Sequence, residues 1–254
     1  MIFRWSIWGE HKSKSIELLK YSILSFKKQF GDEHEYVVYT DDPKVLELTL
    51  NGIAKALDFN STQKNEYNIK SKATWMKWCP SARLDIKQTE FYIDSDVFLL
   101  EYPKDIDIFL KNSKLKFGIM DEFYGQPWQH GAMQKRAIKE TPFVNAGFFV
   151  QKSGHSISED LLDELDWWEK NIPIGEQTHH DEQGALAIAL TKYLNKGELC
   201  IFPKEKYMLI GPNENNDIES LEQVTMFHAV YPDHPAFYKF RHVLDEILGF
   251  YPNH

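Results

Sequence analysis

The apolar positions of this chain change period as it proceeds, and the changes outline an alternating α/β protein. Residues 3–8 are dense in strand-forming side chains and predict a first strand, followed by Gly9 and a polar loop. Residues 15–30 place Ile16, Leu19, Ile23, Phe26 and Phe30 at three- and four-residue steps, an amphipathic helix that stops at Gly31. Tyr36-Val37-Val38-Tyr39-Thr40 predicts a second strand, ending in Asp41-Asp42-Pro43. Two parallel strands joined by a helix form a right-handed crossover, the unit of a Rossmann-like sheet. Ligands of such sheets bind beyond the carboxyl ends of the strands. That rule puts the Trp8-Gly9 loop, Asp41-Asp42 and the later Asp94-Ser95-Asp96 turn along one ligand-facing edge, although Asp41-Asp42-Pro43 would serve equally as a polar turn capping a short helix.

The densest apolar run is Phe91-Tyr92-Ile93-Asp94-Ser95-Asp96-Val97-Phe98-Leu99-Leu100. Its length and composition read as a strand buried on both faces. Desolvated carboxylates need a partner, because an unpaired buried ion is costly. Asp94 and Asp96 therefore call for a cation, and hard divalent ions bound by oxygen, Mn²⁺ or Mg²⁺, suit them. A strand ending at Ile93 with Asp-Ser-Asp as a solvated turn is the plainer alternative. Against it, the apolar run resumes at once with Val97.

Four other segments add polar groups to this frame. Residues 71–84 carry Lys72, Trp75, Lys77, Trp78 and Arg83; a helix over 71–78 would turn the tryptophans to the sheet and Lys72 to the ligand edge. Cations beside a metal site suit a diphosphate, and they serve equally as solvated surface residues. Residues 143–150 predict another buried strand interrupted by Asn145-Ala146-Gly147, a place for close backbone approach and hydrogen bonding, or for a bulge. His179-His180-Asp181-Glu182-Gln183-Gly184 precedes an apolar helix over 185–194, and acids there also suit the helix dipole. Residues 225–230 predict a strand in which His228 stands alone among apolar neighbours, either a core residue or a ligand. A last helix is expected over 242–250.

Composition narrows the class. A chain of 254 residues with 43% hydrophobic and 14% aromatic residues can build a substantial core. No linker, repeat or low-complexity stretch is visible, so one domain over 1–254 is expected. The net charge of −9 argues against a nucleic-acid partner. No segment approaches the ~18 apolar residues of a membrane span. Residues 1–8 lack the basic region of a signal peptide. Cys79 and Cys200 supply neither a disulfide framework nor a cysteine zinc motif, which suits a reducing cytoplasm.

The ordered set, from strand-helix-strand ending in Tyr-Thr-Asp-Asp through Asp94-Ser95-Asp96, Asn145-Ala146-Gly147 and an Asp-Glu-Gln element to a late histidine, resembles the GT-A glycosyltransferases. It is most similar to the retaining, family 8-like type of glycogenin and bacterial galactosyltransferases, with His180-Asp181-Glu182 similar to the blood-group transferases. The likeness spans roughly residues 1–240. It implies a single Rossmann-like GT-A domain with a mixed, mostly parallel sheet, and a nucleotide-diphosphate sugar donor, usually a UDP-sugar, bridged to Mn²⁺ or Mg²⁺. On that resemblance Asp94, Asp96 and His228 would hold the metal. Asn145 and Gly147 would line the sugar pocket, and Asp181 with Gln183 would bind donor-sugar hydroxyls. Trp8, Thr40 and Asp41 would hold the nucleoside. The family's late histidine is usually followed by Gly and a Lys-Pro-Trp element. Here Ala229 follows and the next lysine is Lys239, while His234 offers a second candidate ligand.

Transfer from such a donor needs the leaving diphosphate stabilised and the acceptor hydroxyl placed at the anomeric carbon. A retaining route can pass the hydroxyl proton to the leaving phosphate; an inverting route needs a carboxylate base, for which Asp181 and Glu182 stand first. The acceptor could be a saccharide, a lipid or a protein hydroxyl. Two other classes share some of these features. A sugar-nucleotide nucleotidyltransferase would carry a Gly-rich basic loop after the first strand, where this chain has Ile7-Trp8-Gly9-Glu10. A noncatalytic carbohydrate- or cation-binding domain would hold an ion at Asp94 and Asp96 without turnover.

Overall fold

The computed structural model describes residues 1–9, 12–59, 73–78, 83–123 and 125–250. The opening crossover is built as expected. Strand β1 (Ile2–Ile7), helix α1 (Lys12–Phe30) and strand β2 (Glu35–Thr40) follow in turn, and β1 pairs with β2 in parallel from Ile2↔Glu35 to Ile7↔Thr40. Helix α2 (Pro43–Leu50) returns the chain to β3 (Lys55–Asp58), which extends the sheet beside β2. The Asp42 side chain accepts from the Val45 amide at 3.3 Å and caps α2, with Pro43 in the first turn.

The apolar run at 91–100 departs from the expected single strand. It forms β4 (Glu90–Ile93) and β5 (Val97–Leu99), which belong to different sheets. The Asp94 amide still donates to Gly147 O at 2.8 Å, and the Val97 amide then turns back to Asp94 O at 3.2 Å. Two carboxylates cannot continue through a dry sheet, so the chain bends at Asp94-Ser95-Asp96 and presents them at the sheet edge.

Among the described residues, seven strands form the main sheet in the order β3-β2-β1-β4-β7-β6-β8, where β6 is Phe117–Asp121, β7 Val144–Gln151 and β8 Leu199–Phe202. β7 runs antiparallel to both neighbours, and the other pairings within this sheet are parallel. A second sheet, β5-β10-β9, takes β9 (Tyr207–Ile210) and β10 (Met226–Ala229). The fold is therefore mixed α/β, with a mostly parallel central sheet.

Alternation assigns the faces. Phe91, Ile93, Phe148 and Val150 join Phe3 and Trp5 under α1, α2 and α3 (Lys104–Lys111). Tyr92, Phe149 and Phe117 turn the other way, beneath α4 (Ser158–Asn171) and α5 (Asp181–Asn195). A third cluster packs β5, β9 and β10 on α6 (Pro235–Leu248), which begins seven residues before the expected helix because Pro235 starts it. The turn over Ala73–Trp78 is 3₁₀ rather than α-helical. Trp78 stacks on Tyr92 at 5.1 Å, as its expected place against the sheet requires, whereas Trp75 meets Trp168 of α4. No described helix is long and apolar enough to cross a membrane.

Candidate functional site

Three elements deliver the site because the sheet changes direction beside β4. β4 lies parallel to β1 and antiparallel to β7, so its carboxyl end meets the beginning of β7. Asp94 thus lies against Gly147, with Asn145 and Ala146 beside it. β10 pairs antiparallel with β5 in the register His228↔Val97, and the Ala229 amide donates to Asp96 O at 2.9 Å. The result is one group of potential metal ligands among the described residues: atoms of Asp94, Asp96 and His228 lie within 4.8 Å of one another.

The two carboxylates have different partners. Asp96 is held between two imidazoles, His228 Nε2 at 3.2 Å and His234 Nδ1 at 3.1 Å. Burial alone would raise its pKa, but the two histidines outweigh burial and hold it far below the ordinary carboxylate value. Burial likewise opposes charge on His228 and His234, yet Asp96 keeps both above the usual histidine value. Asp94 instead receives Lys77 Nζ at 2.8 Å, which also donates to Ala146 O at 3.0 Å and lies 3.6 Å from Glu182. Lys77 is buried; desolvation lowers its pKa, but Asp94 and Glu182 more than restore it.

The tautomer of His228 follows from its second nitrogen. Nδ1 faces Asn145 Oδ1 at 3.0 Å, an oxygen that also accepts from the Gly147 amide at 2.9 Å, while Asn145 Nδ2 donates to Glu122 at 3.0 Å. An oxygen there requires Nδ1 to carry a proton, which leaves Nε2 as the ligating nitrogen. Gly147 makes room for this: a Cβ there would stand 2.5 Å from the imidazole. The residues fit a divalent cation by donor chemistry, with two carboxylates and a correctly oriented imidazole. Where no such ion is bound, an ammonium and two imidazoles supply their positive charge.

Other expected site residues fall into place unevenly. Trp8, Thr40 and Asp41 gather at the carboxyl ends of β1 and β2, where Gly9 N donates to Asp41 at 3.0 Å and Asp42 N to Thr40 Oγ1 at 3.3 Å. The Asp-Asp-Pro turn thus caps α2 through Asp42, while Asp41 is held against the Trp8-Gly9 loop. Lys72 lies outside the described residues. The expectation that Asp181 meets a sugar is corrected by its surroundings. It is 0% exposed, and its oxygens already accept from Ala132 N, Thr178 Oγ1, Trp168 Nε1 and Thr178 N at 2.6–2.9 Å. Four donors fill a carboxylate, so Asp181 locks α5 to its neighbours. Gln183 is similarly engaged, accepting from Ala146 N and donating to Glu122 and Gln129 O. Among the described residues Asn145 makes three side-chain contacts, which leave one amide hydrogen available. Of the acidic pair, Glu182 alone reaches the cluster, through Lys77 and a 2.7 Å hydrogen bond from Trp78 Nε1.

Lys77 and Glu122 were not singled out as site residues by their sequence context. Lys77 resembled any surface lysine of a basic segment, and Glu122 simply follows the end of β6. Burial raises the Glu122 pKa against hydrogen bonds from Asn145 and Gln183. Only the fold shows both of them beside the turn.

With this geometry in view, comparison with solved structures is informative. An active-site mutant of LgtC matches 100% of this chain and 98% of its own at 15% identity, with a TM-score of 0.57. The galactosyltransferase LgtC with donor and acceptor sugar analogues matches over the same shares at 14% identity and 0.53. Mouse xyloside xylosyltransferase 1 matches 90% of this chain and 97% of its own at 10% identity and 0.54. The chain has the GT-A glycosyltransferase fold of these structures. No protein-family model and no curated protein sequence matches it.

Proposed function

We propose that this protein is a metal-dependent glycosyltransferase, a single domain over 1–254 that moves a sugar from a nucleotide-diphosphate donor, a UDP-sugar, to a hydroxyl acceptor. The observation that carries the reading is the Asp94–Asp96–His228 cluster, flanked by Lys77 at the carboxyl edge of the sheet. Binding would place the nucleoside at Trp8, Thr40 and Asp41. A divalent cation held by Asp94, Asp96 and His228, Mn²⁺ or Mg²⁺, would offset negative charge on the departing diphosphate. Lys77, already positioned by Asp94, Ala146 O and Glu182, adds a fixed positive charge beside the same region.

Asn145 orients His228 and can offer its remaining amide hydrogen to the donor sugar. The acceptor hydroxyl proton goes to the leaving phosphate on a retaining route, or to a carboxylate on an inverting one. Glu182 and Glu122 are the buried carboxylates next to the cluster, since the oxygens of Asp181 are filled. The test is a set of UDP-sugars with Mn²⁺, scored by thermal shift and by UDP release. One donor should raise the melting temperature by mass action and release UDP, and chelation should abolish both. Full turnover in EDTA, or no response to any nucleotide sugar, would overturn the proposal.

A further inference from the structure

The geometry points to Glu122 as a positioning residue that braces the side-chain amides of Asn145 and Gln183 and, through Asn145, the imidazole of His228; this rests on the metal set proposed above. The sheet is irregular beside it. The β6–β7 pairing jumps from Ile119↔Phe149 to Met120↔Asn145, so Ala146, Gly147 and Phe148 bulge out of register with β6. The backbone amides of Ala146 and Gly147 then need side-chain acceptors, and they find Gln183 Oε1 at 3.1 Å and Asn145 Oδ1 at 2.9 Å. The same bulge turns Ala146 O to Lys77 and Gly147 O to the Asp94 amide. Its shape therefore reaches Lys77, Asp94 and, through Asn145, His228.

An amide side chain has nearly the same shape either way round, so its neighbours decide which end faces which. Asn145 Oδ1 accepts from the Gly147 amide and faces His228 Nδ1 at 3.0 Å. If Asn145 turned over, its NH₂ would meet the Gly147 N–H, and the imidazole would lose the acceptor that leaves Nε2 free for a cation. Glu122 opposes that turn from the other end. Its Oε2 accepts from Asn145 Nδ2 at 3.0 Å and from Gln183 Nε2 at 3.3 Å. Gln183 Nε2 also donates to Gln129 O at 3.3 Å. Both amides are thus pinned by one carboxylate oxygen, which has no proton to offer them, where Glu122, Asn145 and Gln183 are all buried.

These contacts suit a brace rather than a base. The oxygen is engaged twice, and Asn145 bridges it to the imidazole. What the brace supplies is an acceptor at a fixed point, so a neutral side chain of the same length that keeps an oxygen there should serve. An apolar side chain of similar size should not, because it leaves two buried N–H groups without their partner.

The test uses the full chain and Mn²⁺ alone as the probe, with ¹⁵N-histidine NMR of the metal-free protein beside it. Mn²⁺ affinity should stay within about threefold of wild type in Glu122→Gln and fall about tenfold or more in Glu122→Leu, the scale for a group that supports a metal ligand. The Nδ1 proton of His228, identified by its absence in His228→Ala, should be protected from exchange in wild type and Glu122→Gln and lose that protection in Glu122→Leu. In an Asn145→Ala background, Glu122→Leu should weaken Mn²⁺ little further, because the two residues act in series. An unmoved affinity in Glu122→Leu, or losses that simply add in the double variant, overturns the brace. So does a loss of Mn²⁺ affinity in Glu122→Gln beyond about tenfold, which decides the matter even where the leucine variant does not fold. A wild type that binds no Mn²⁺, with the Nδ1 proton still following Glu122, would instead overturn the metal-dependent reading and leave the brace standing.

Discussion

Asp94 and Asp96 are two residues apart, yet they belong to different regions of the molecule. Asp94 directly follows β4 of the main sheet, is partly exposed, and is balanced by a lysine. Asp96 directly precedes β5 of the second sheet, is buried, and is balanced by two histidines. A lysine ammonium stays charged across the ordinary pH range, whereas imidazoles release their protons near neutrality. The lysine side is therefore a permanent electrostatic fixture, and the histidine side is a site that can exchange protons for another cation. The difference teaches which half of the cluster is scaffold and which half responds to conditions.

The largest break in that comparison is Asp96→Asn. It removes the charge shared by His228 and His234 and one carboxylate of the proposed metal set. Mn²⁺ affinity should fall by at least about a hundredfold, with UDP release falling alongside, as for loss of a group that supports a metal site. Unchanged Mn²⁺ binding by titration would place the ion elsewhere.

Lys77→Met attacks the other half. It leaves Asp94 and Glu182 without their buried counter-charge, which should cost about 3 kcal/mol and lower the melting temperature by about 6–12 °C. Mn²⁺ should then return more of the lost temperature to the variant than it adds to the wild type, because it replaces a missing cation. Equal gains in both proteins would show that Lys77 and the ion do not share Asp94.

The same division separates what the sequence disclosed from what it hid. β1, α1, β2 and the buried strand around Asn145-Ala146-Gly147 were legible because long apolar runs and helical spacing dominate locally. Asp94, Asp96 and His228 were legible because charge inside an apolar run is conspicuous. The break between β4 and β5 was not, since the apolar run continues on both sides of the turn and periodicity cannot report a change of sheet. Lys77, Glu122 and the Ala132 and Trp168 donors to Asp181 depend on contacts between residues 13 to 69 positions apart. No local pattern encodes such contacts. The three-residue element Asp181-Glu182-Gln183 shows the limit best, because adjacent side chains in one helical turn face different partners.

A pH series sharpens the comparison at a smaller scale. His228 and His234 have raised values, so their contribution to stability is full below about pH 6.5 and is lost as pH rises through their folded values. Asp96 has a lowered value, so its contribution holds above about pH 4 and is lost as pH falls. The metal-free protein should therefore lose melting temperature as pH rises above about 6.5, less so in Asp96→Asn. Mn²⁺ requires His228 without its Nε2 proton, so affinity should climb by up to about tenfold per pH unit until the histidine has titrated. Affinity that is flat from pH 6 to 8 would remove His228 from the ligand set.

The smallest expected effect belongs to His234, and it decides how the histidine side is divided. His234 caps the start of α6 in a left-handed conformation, with Nδ1 shared between Ala229 O at 2.7 Å and Asp96 at 3.1 Å. It lacks the orienting chain that Asn145 and Glu122 give His228, and it lies outside the ligand group formed by Asp94, Asp96 and His228. His234 should therefore act by holding Asp96. His234→Ala should weaken Mn²⁺ only about threefold to tenfold, at the lower end of the range for groups that support a metal ligand. His228→Ala should weaken it by one or two orders of magnitude more, and excess metal should recover part of the rate in both. Each variant should be melted without metal as a control, because a purely structural histidine would lower the melting temperature and leave the Mn²⁺ dependence unmoved. A larger Mn²⁺ defect in His234→Ala than in His228→Ala would reverse the assignment and make the loop histidine the third ligand.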